Sequence, residues 1–152
     1  MQNKFSFLII ITSLTFTIQS CNKNKTSISK SNSNESHNLG QNCMVCHTGK
    51  SEAGKKTGAF TVAGSVYDLL QTNANPNATI NLYTEPGGAG TLKSTIEVDT
   101  KGNFYTTASI DFGAGLYPSI KGSTSTFHMG SPITSGQCSS CHGVTTGKVY
   151  VN

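Results

Sequence analysis

Cys43-Met44-Val45-Cys46-His47 has residue types and a spacing that can do chemistry, and the pattern returns as Cys138-Ser139-Ser140-Cys141-His142. Two cysteine sulfurs one turn of chain apart can add across the two vinyl groups of one porphyrin. The histidine directly after the second Cys then lies under the iron and offers a ring nitrogen as proximal ligand. Such a pentapeptide reads as an attachment site for c-type haem. The expected cofactor is therefore two covalently bound haem c groups, held by Cys43, Cys46, Cys138 and Cys141, with His47 and His142 proximal. Two other chemistries use Cys-x-x-Cys. A structural zinc wants four ligands in one site, its Cys pairs typically separated by roughly 15–20 residues; here the pairs lie at opposite ends of the chain. A redox dithiol is expected near a βαβ pattern, and none is visible.

The chain has four histidines, so one is left over for each haem. His37 lies six residues before Cys43 and His128 ten before Cys138, which makes them the candidate distal ligands. The alternative for His37 is a solvated side chain at the end of a tether. His128 has a competitor in Met129, since thioether sulfur also ligates haem iron. Met44 sits inside the first motif and cannot readily reach the iron of its own haem.

The elements that must deliver these residues begin with an export signal over residues 1–20. Lys4 is a one-charge start and Phe5 to Ile18 a mostly apolar run, too short for the roughly 20 residues of a membrane span. Ile18-Gln19-Ser20-Cys21 resembles a bacterial lipoprotein box. The resemblance implies cleavage before Cys21 and acylation of it, which accounts for the odd one of five cysteines. The expected location is extracytoplasmic and lipid-anchored, with an outer-membrane anchor facing the periplasm favoured over the cell surface because no acidic cluster follows Cys21. Residues 21–36 are mostly Asn, Ser and Lys, with Ile28 the only large apolar residue, and predict a disordered tether. Residues 37–56 form the first haem-binding segment, punctuated by Gly40, Gly49 and Gly54.

Residues 57–125 predict a β domain. Phe60, Val62 and Val66 alternate with Thr61, Ser65 and Tyr67, and Gly64 interrupts the apolar face, the mark of a bulge or a close backbone approach. Ala78, Ile80 and Leu82 alternate with Thr79, Asn81 and Tyr83; Ser94, Ile96 and Val98 with Thr95, Glu97 and Asp99. Turn signals fall at Asn73–Asn77, Pro86–Gly90 and Asp99–Asn103. Short strands at this spacing point to an all-β sandwich. Val62-Ala63-Gly64-Ser65-Val66-Tyr67-Asp68, Ala78-Thr79-Ile80-Asn81-Leu82-Tyr83, Val98-Asp99-Thr100-Lys101-Gly102-Asn103-Phe104 and Gly115-Leu116-Tyr117-Pro118 together resemble the carboxypeptidase-regulatory or transthyretin-like family. That resemblance implies a seven-strand Greek-key sandwich and no catalysis. Flanked by two haem segments, the whole resembles small dihaem c-type cytochromes with an inserted sandwich. Residues 126–152 hold the second haem segment, with Val149-Tyr150-Val151 as a candidate last strand returning to the sandwich.

The basic residues are 11 Lys and no Arg, against 7 acids. Their excess lies before residue 57, where six Lys of the mature chain face two Glu. A solvated face is the plain account; an offset to haem propionates, or steering of an acidic redox partner, is the sharper one. Lysines without interleaved aromatics argue against a nucleic-acid surface. With both axial positions filled, an iron exchanges electrons and has no place for substrate. The sequence thus points to a membrane-anchored electron carrier, not an enzyme, working with redox partner proteins and open to self-assembly in which one chain's His serves another's haem. Two alternatives stand beside it: a haem enzyme with one open iron, and a sandwich that binds a ligand or partner through its loops while carrying haems.

Overall fold

The computed structural model describes residues 26–49, 51, 52, 55, 56 and 58–152. The export signal, Cys21 and the tether up to residue 25 lie outside the described residues. The described chain is mainly β: β1 (Ser51–Glu52), β2 (Lys55–Lys56), β3 (Val62–Tyr67), β4 (Thr79–Tyr83), β5 (Leu92–Glu97), β6 (Asn103–Thr106), β7 (Tyr117–Lys121), β8 (Thr126–His128), β9 (Gly136–Gln137) and β10 (Val149–Tyr150). β1 and β2 form a small hairpin. In one four-stranded sheet β3 is central, with β6 antiparallel along one edge; on the other edge β9 pairs in parallel beside its start and β10 beside its end. The second sheet runs β5-β4-β7-β8, antiparallel throughout. Among the described residues no helix is long and apolar enough to cross a membrane.

Period-two alternation drives the packing, because successive side chains of a strand point to opposite faces. Val62 and Val66 of β3, Ile80 and Leu82 of β4, Ile96 of β5, Phe104 of β6 and Ile120 of β7 meet between the sheets, with Val98, Leu116 and Val151 beside them. Gly64 fills the gap in the β3 face: a Cβ there would lie 2.6 Å from Phe104 Cζ and 3.0 Å from Cys138 Cβ. The apolar interruption at Gly64 is thus a close approach, and it brings the second motif against the core.

β3 is buried on both faces, Ala63, Ser65 and Tyr67 as well as Val62 and Val66. The cover on the outer face is residues 26–49, and this departs from the tether expected over 21–36. From residue 26 the chain is a packed strap. Ile28 bridges Thr106 in antiparallel fashion, and Ser29 N–H donates to the Tyr105 carbonyl at 2.9 Å. Ser29 is fully buried; its hydroxyl donates to the Glu97 carbonyl at 2.5 Å and accepts from Tyr105 N–H at 3.0 Å. Lys30 pairs with Glu97, and Lys101 Nζ donates to the Ser36 carbonyl. The physical reason is that β6 would otherwise be an edge strand with open backbone groups. A serine-rich segment can satisfy that edge because its small side chains bury with their hydrogen bonds made. Ser29→Ala leaves two of those groups short of a partner, so it is expected to cost about 1–3 kcal/mol. The check is the urea midpoint, and an unchanged midpoint would mean that the strap contributes nothing to stability.

Residues 126–152 are likewise no appendage. β8 joins one sheet, β9 and β10 the other, and Val151 is fully buried. The sandwich therefore extends past the expected boundary at 125, and the last strand lies where the sequence puts it, Val149 opposite Val66 and Tyr150 opposite Tyr67.

Candidate functional site

The two pentapeptides fold alike. Each opens with a short 3-10 turn, Cys43–Val45 and Cys138–Ser140. In each, the second Cys N–H donates to the first Cys carbonyl at 3.3 Å. The following His N–H reaches the same carbonyl, at 2.9 Å for His47 and 3.0 Å for His142. These are local bonds, i to i+3 and i to i+4, so the pentapeptide itself sets them. They bring the two sulfurs and the imidazole to one turn of chain. Asn42 caps the first turn, accepting from Met44 N–H.

The first turn lies on the outer face of the β3–β6 sheet. A cavity of about 410 Å³ opens there, lined by His37, Cys43, Cys46, His47, Phe60 and Tyr105 among others. The His37 and His47 rings stand 5.9 Å apart between centroids, tilted by 36°. An imidazole nitrogen binds a first-row metal at about 2 Å and its ring centre lies about 1 Å beyond, so two imidazoles on opposite sides of one metal are roughly 6 Å apart. The observed separation fits an ion held between them. His47 stacks on Phe60 at 4.0 Å and 7°, and Phe60 on Tyr105 at 4.8 Å. Burial pushes the His47 imidazole below its ordinary range; the Gly58 backbone opposes this and repulsion from His37 adds to it. His47 Nδ1 is buried and makes no hydrogen bond of ordinary geometry. His37 is held through its backbone: the buried Asn103 amide donates to the His37 carbonyl and to Ser36 Oγ, and accepts from Ser65 Oγ.

The second turn leaves the sheet between β9 and β10. It opens on a cavity of about 620 Å³ lined by Cys138, Cys141, His142, Met129, Phe127 and Tyr150 among others, with His128 also on its wall. Both volumes lie in the range of roughly 300–1,000 Å³ of small-molecule and cofactor sites. The His142 Nδ1 lies 2.8 Å from the Gly147 carbonyl. A carbonyl only accepts, so Nδ1 carries the hydrogen and Nε2 keeps its lone pair for a metal.

Burial raises the Cys138 thiol to about 12, repulsion from Cys43 and Cys141 adding and a backbone hydrogen bond opposing. Cys43 is also raised by burial, with Cys46 adding. Reactive dithiols and metal-binding thiolates sit in environments that lower the thiol pKa; the leading Cys of each pair sits in the reverse. Among the described residues no three His, Cys, Asp or Glu side chains converge on one point as a structural zinc requires. A haem attachment site asks something else of the protein: two sulfurs for the porphyrin edge and two axial donors. Each cavity offers that set. Both turns pack against β3.

Each motif thus has its candidate distal residue in the same cavity, His37 with the first, His128 and Met129 with the second. Sequence spacing did not single out Phe60, Tyr105 or the Gly147 carbonyl. Phe60 appears in the sequence only as the first apolar residue of an alternating run, and a carbonyl leaves no trace in residue types. No protein-family model, curated protein or solved structure matches this chain.

Proposed function

We propose that the chain is an extracytoplasmic electron-transfer protein with two covalently attached haem c groups, one on each Cys-x-x-Cys-His turn. The observation that carries this reading is the repetition of one complete donor set: in both cavities a Cys-x-x-Cys-His turn shares the space with a second axial candidate. Cys43 and Cys46 would hold the first group, with His47 and His37 on the iron; Cys138 and Cys141 would hold the second, with His142 proximal. When bound, the group supplies one-electron exchange at its iron. The chain's own part would be to hold such a group by its two sulfurs, orient each proximal ring and, at the second site, shield it with the apolar wall of the cavity. The Phe60–Tyr105 stack and the Gly147 carbonyl are the orienting groups. The finer fold assignment, a Greek-key sandwich of the carboxypeptidase-regulatory or transthyretin-like kind, belongs to the same proposal and is supported by the two-sheet arrangement. Acylation of Cys21 would anchor the chain, with the strap from residue 26 leaving only the few residues before it as a spacer. Redox proteins are the expected partners.

The test is a reduced-minus-oxidised spectrum with a haem-to-protein ratio on mature protein purified from a host that attaches c-type haem. Two haems per chain that survive denaturing electrophoresis are expected. Zinc without iron on metal analysis would end the proposal.

A further inference from the structure

The second cavity has two candidates for the position opposite His142, and the sheet register separates them. Ile96, Ile80, Ile120 and Phe127 are successive partners across β5, β4, β7 and β8. Ile96, Ile80 and Ile120 are buried in the core, so this row faces inward, and Phe127 with it. Thr95, Asn81, Ser119 and His128 form the neighbouring row. Side chains alternate along a strand, so that row faces the other side of the sheet, where Thr95 Oγ1 donates to Asn81. The His128 ring lies there against Gly88, whose Cβ would come within 2.8 Å of His128 Cε1. Gly88 also has a φ of +80°, so the position favours glycine on both counts.

Met129 follows in the inward phase. Its N–H donates to the Pro118 carbonyl at 2.9 Å, which carries the β7–β8 ladder one residue beyond β8. Pro118 is the partner of Leu82, a core residue. Met129 is half-buried while His128 is exposed. His128 borders the cavity, but its ring is turned onto Gly88 and would have to leave that contact to face His142; a flexible thioether in the inward phase would not.

We infer that Met129, and not His128, is the second axial ligand of the centre on Cys138 and Cys141. The inference rests on the haem reading above and deepens it. Histidine–methionine ligation raises a haem potential relative to two imidazoles. The two centres are therefore unequal: His37 with His47 at the first, His142 with Met129 at the second. With both haems in place, an electron shared between the two sites would favour the one that Met129 serves, with no bond or proton moving.

The experiment uses the mature holoprotein. Oxidised wild type should show a methionine–iron charge-transfer band, and a redox titration should resolve two one-electron steps. Met129→Ala should lose the band and bring the upper step down. Met129→His should lose the band but stay low-spin, a readout that survives if the alanine variant matures poorly. His128→Ala and Met44→Ala should keep both the band and the separation of the steps. A band lost in His128→Ala, or wild type with two low-spin imidazole pairs and no band, would overturn the ligand while leaving the haem reading intact. Absence of covalent haem on both motifs would instead overturn the reading beneath it and the ligand with it.

Discussion

Replacing Cys43 and Cys46 together by alanine is expected to halve the covalent haem content, from two groups per chain to one, and Cys138→Ala with Cys141→Ala should do the same from the other end. Each turn folds through its own backbone hydrogen bonds and serves its own cavity, so loss of one set of thioethers leaves the other untouched. The two double variants should nevertheless differ in stability. The first cavity lies on the outer face of a sheet, where an apolar group covers surface already backed by β3 and β6. The second lies between the sheets, next to Phe104, Ile120 and Val149. Without the proposed haem, that apolar wall would be open to water. Intact mass and haem staining read the stoichiometry, and thermal unfolding of each variant reads the asymmetry. Equal melting temperatures in the two variants would contradict the proposal that a second haem fills this cavity.

Phe104→Ala should be the most damaging single change in the core. Phe104 is 1% exposed and touches the space at Gly64 on one side and the second cavity on the other. Truncating a buried Phe typically costs about 3–5 kcal/mol, because the lost contacts add to the hole left behind. At about 1.4 kcal/mol per tenfold, that is more than a hundredfold in the folding equilibrium, a large part of the roughly 5–15 kcal/mol a domain has. The hole would open into the second cavity, so haem attachment at Cys138 and Cys141 should fall before attachment at Cys43 and Cys46. Gly64→Ala tests the same contact from the opposite side: its Cβ would crowd Phe104 Cζ, and overpacking of that kind costs about 1–3 kcal/mol. Because the two residues compete for one space, Gly64→Ala combined with Phe104→Leu should be more stable than the sum of the single changes predicts. Strict additivity in urea unfolding would show that they do not share it.

Local interactions made part of this protein legible in its residues. The Cys-x-x-Cys-His spacing closes a turn through bonds three and four residues long, so the placing of two sulfurs and an imidazole on one turn of chain follows from the pentapeptide alone. Alternation over 62–67, 79–83 and 94–98 marks the strands and their apolar faces, since a pleated strand shows its faces every second residue. Gly64 was legible as a break in that face, a bulge or a close approach, and only the packing of Phe104 and Cys138 decides for the approach.

What the residues could not carry was partnership across the chain. Ser29 reads as disorder until Glu97 at the end of β5 and Tyr105 on β6 supply its hydrogen-bond partners. Ser65 and Tyr67 read as a solvent face until the strap covers them. Phe60 reads as one apolar residue among several until His47 stacks on it. His128 and Met129 are neighbours in sequence and equal by composition; only the pairing of Ile120 with Phe127 puts them in opposite phases of the strand. Composition fixes what a side chain can donate or bury, but the face it presents depends on the register of a strand against a partner that the sequence does not name.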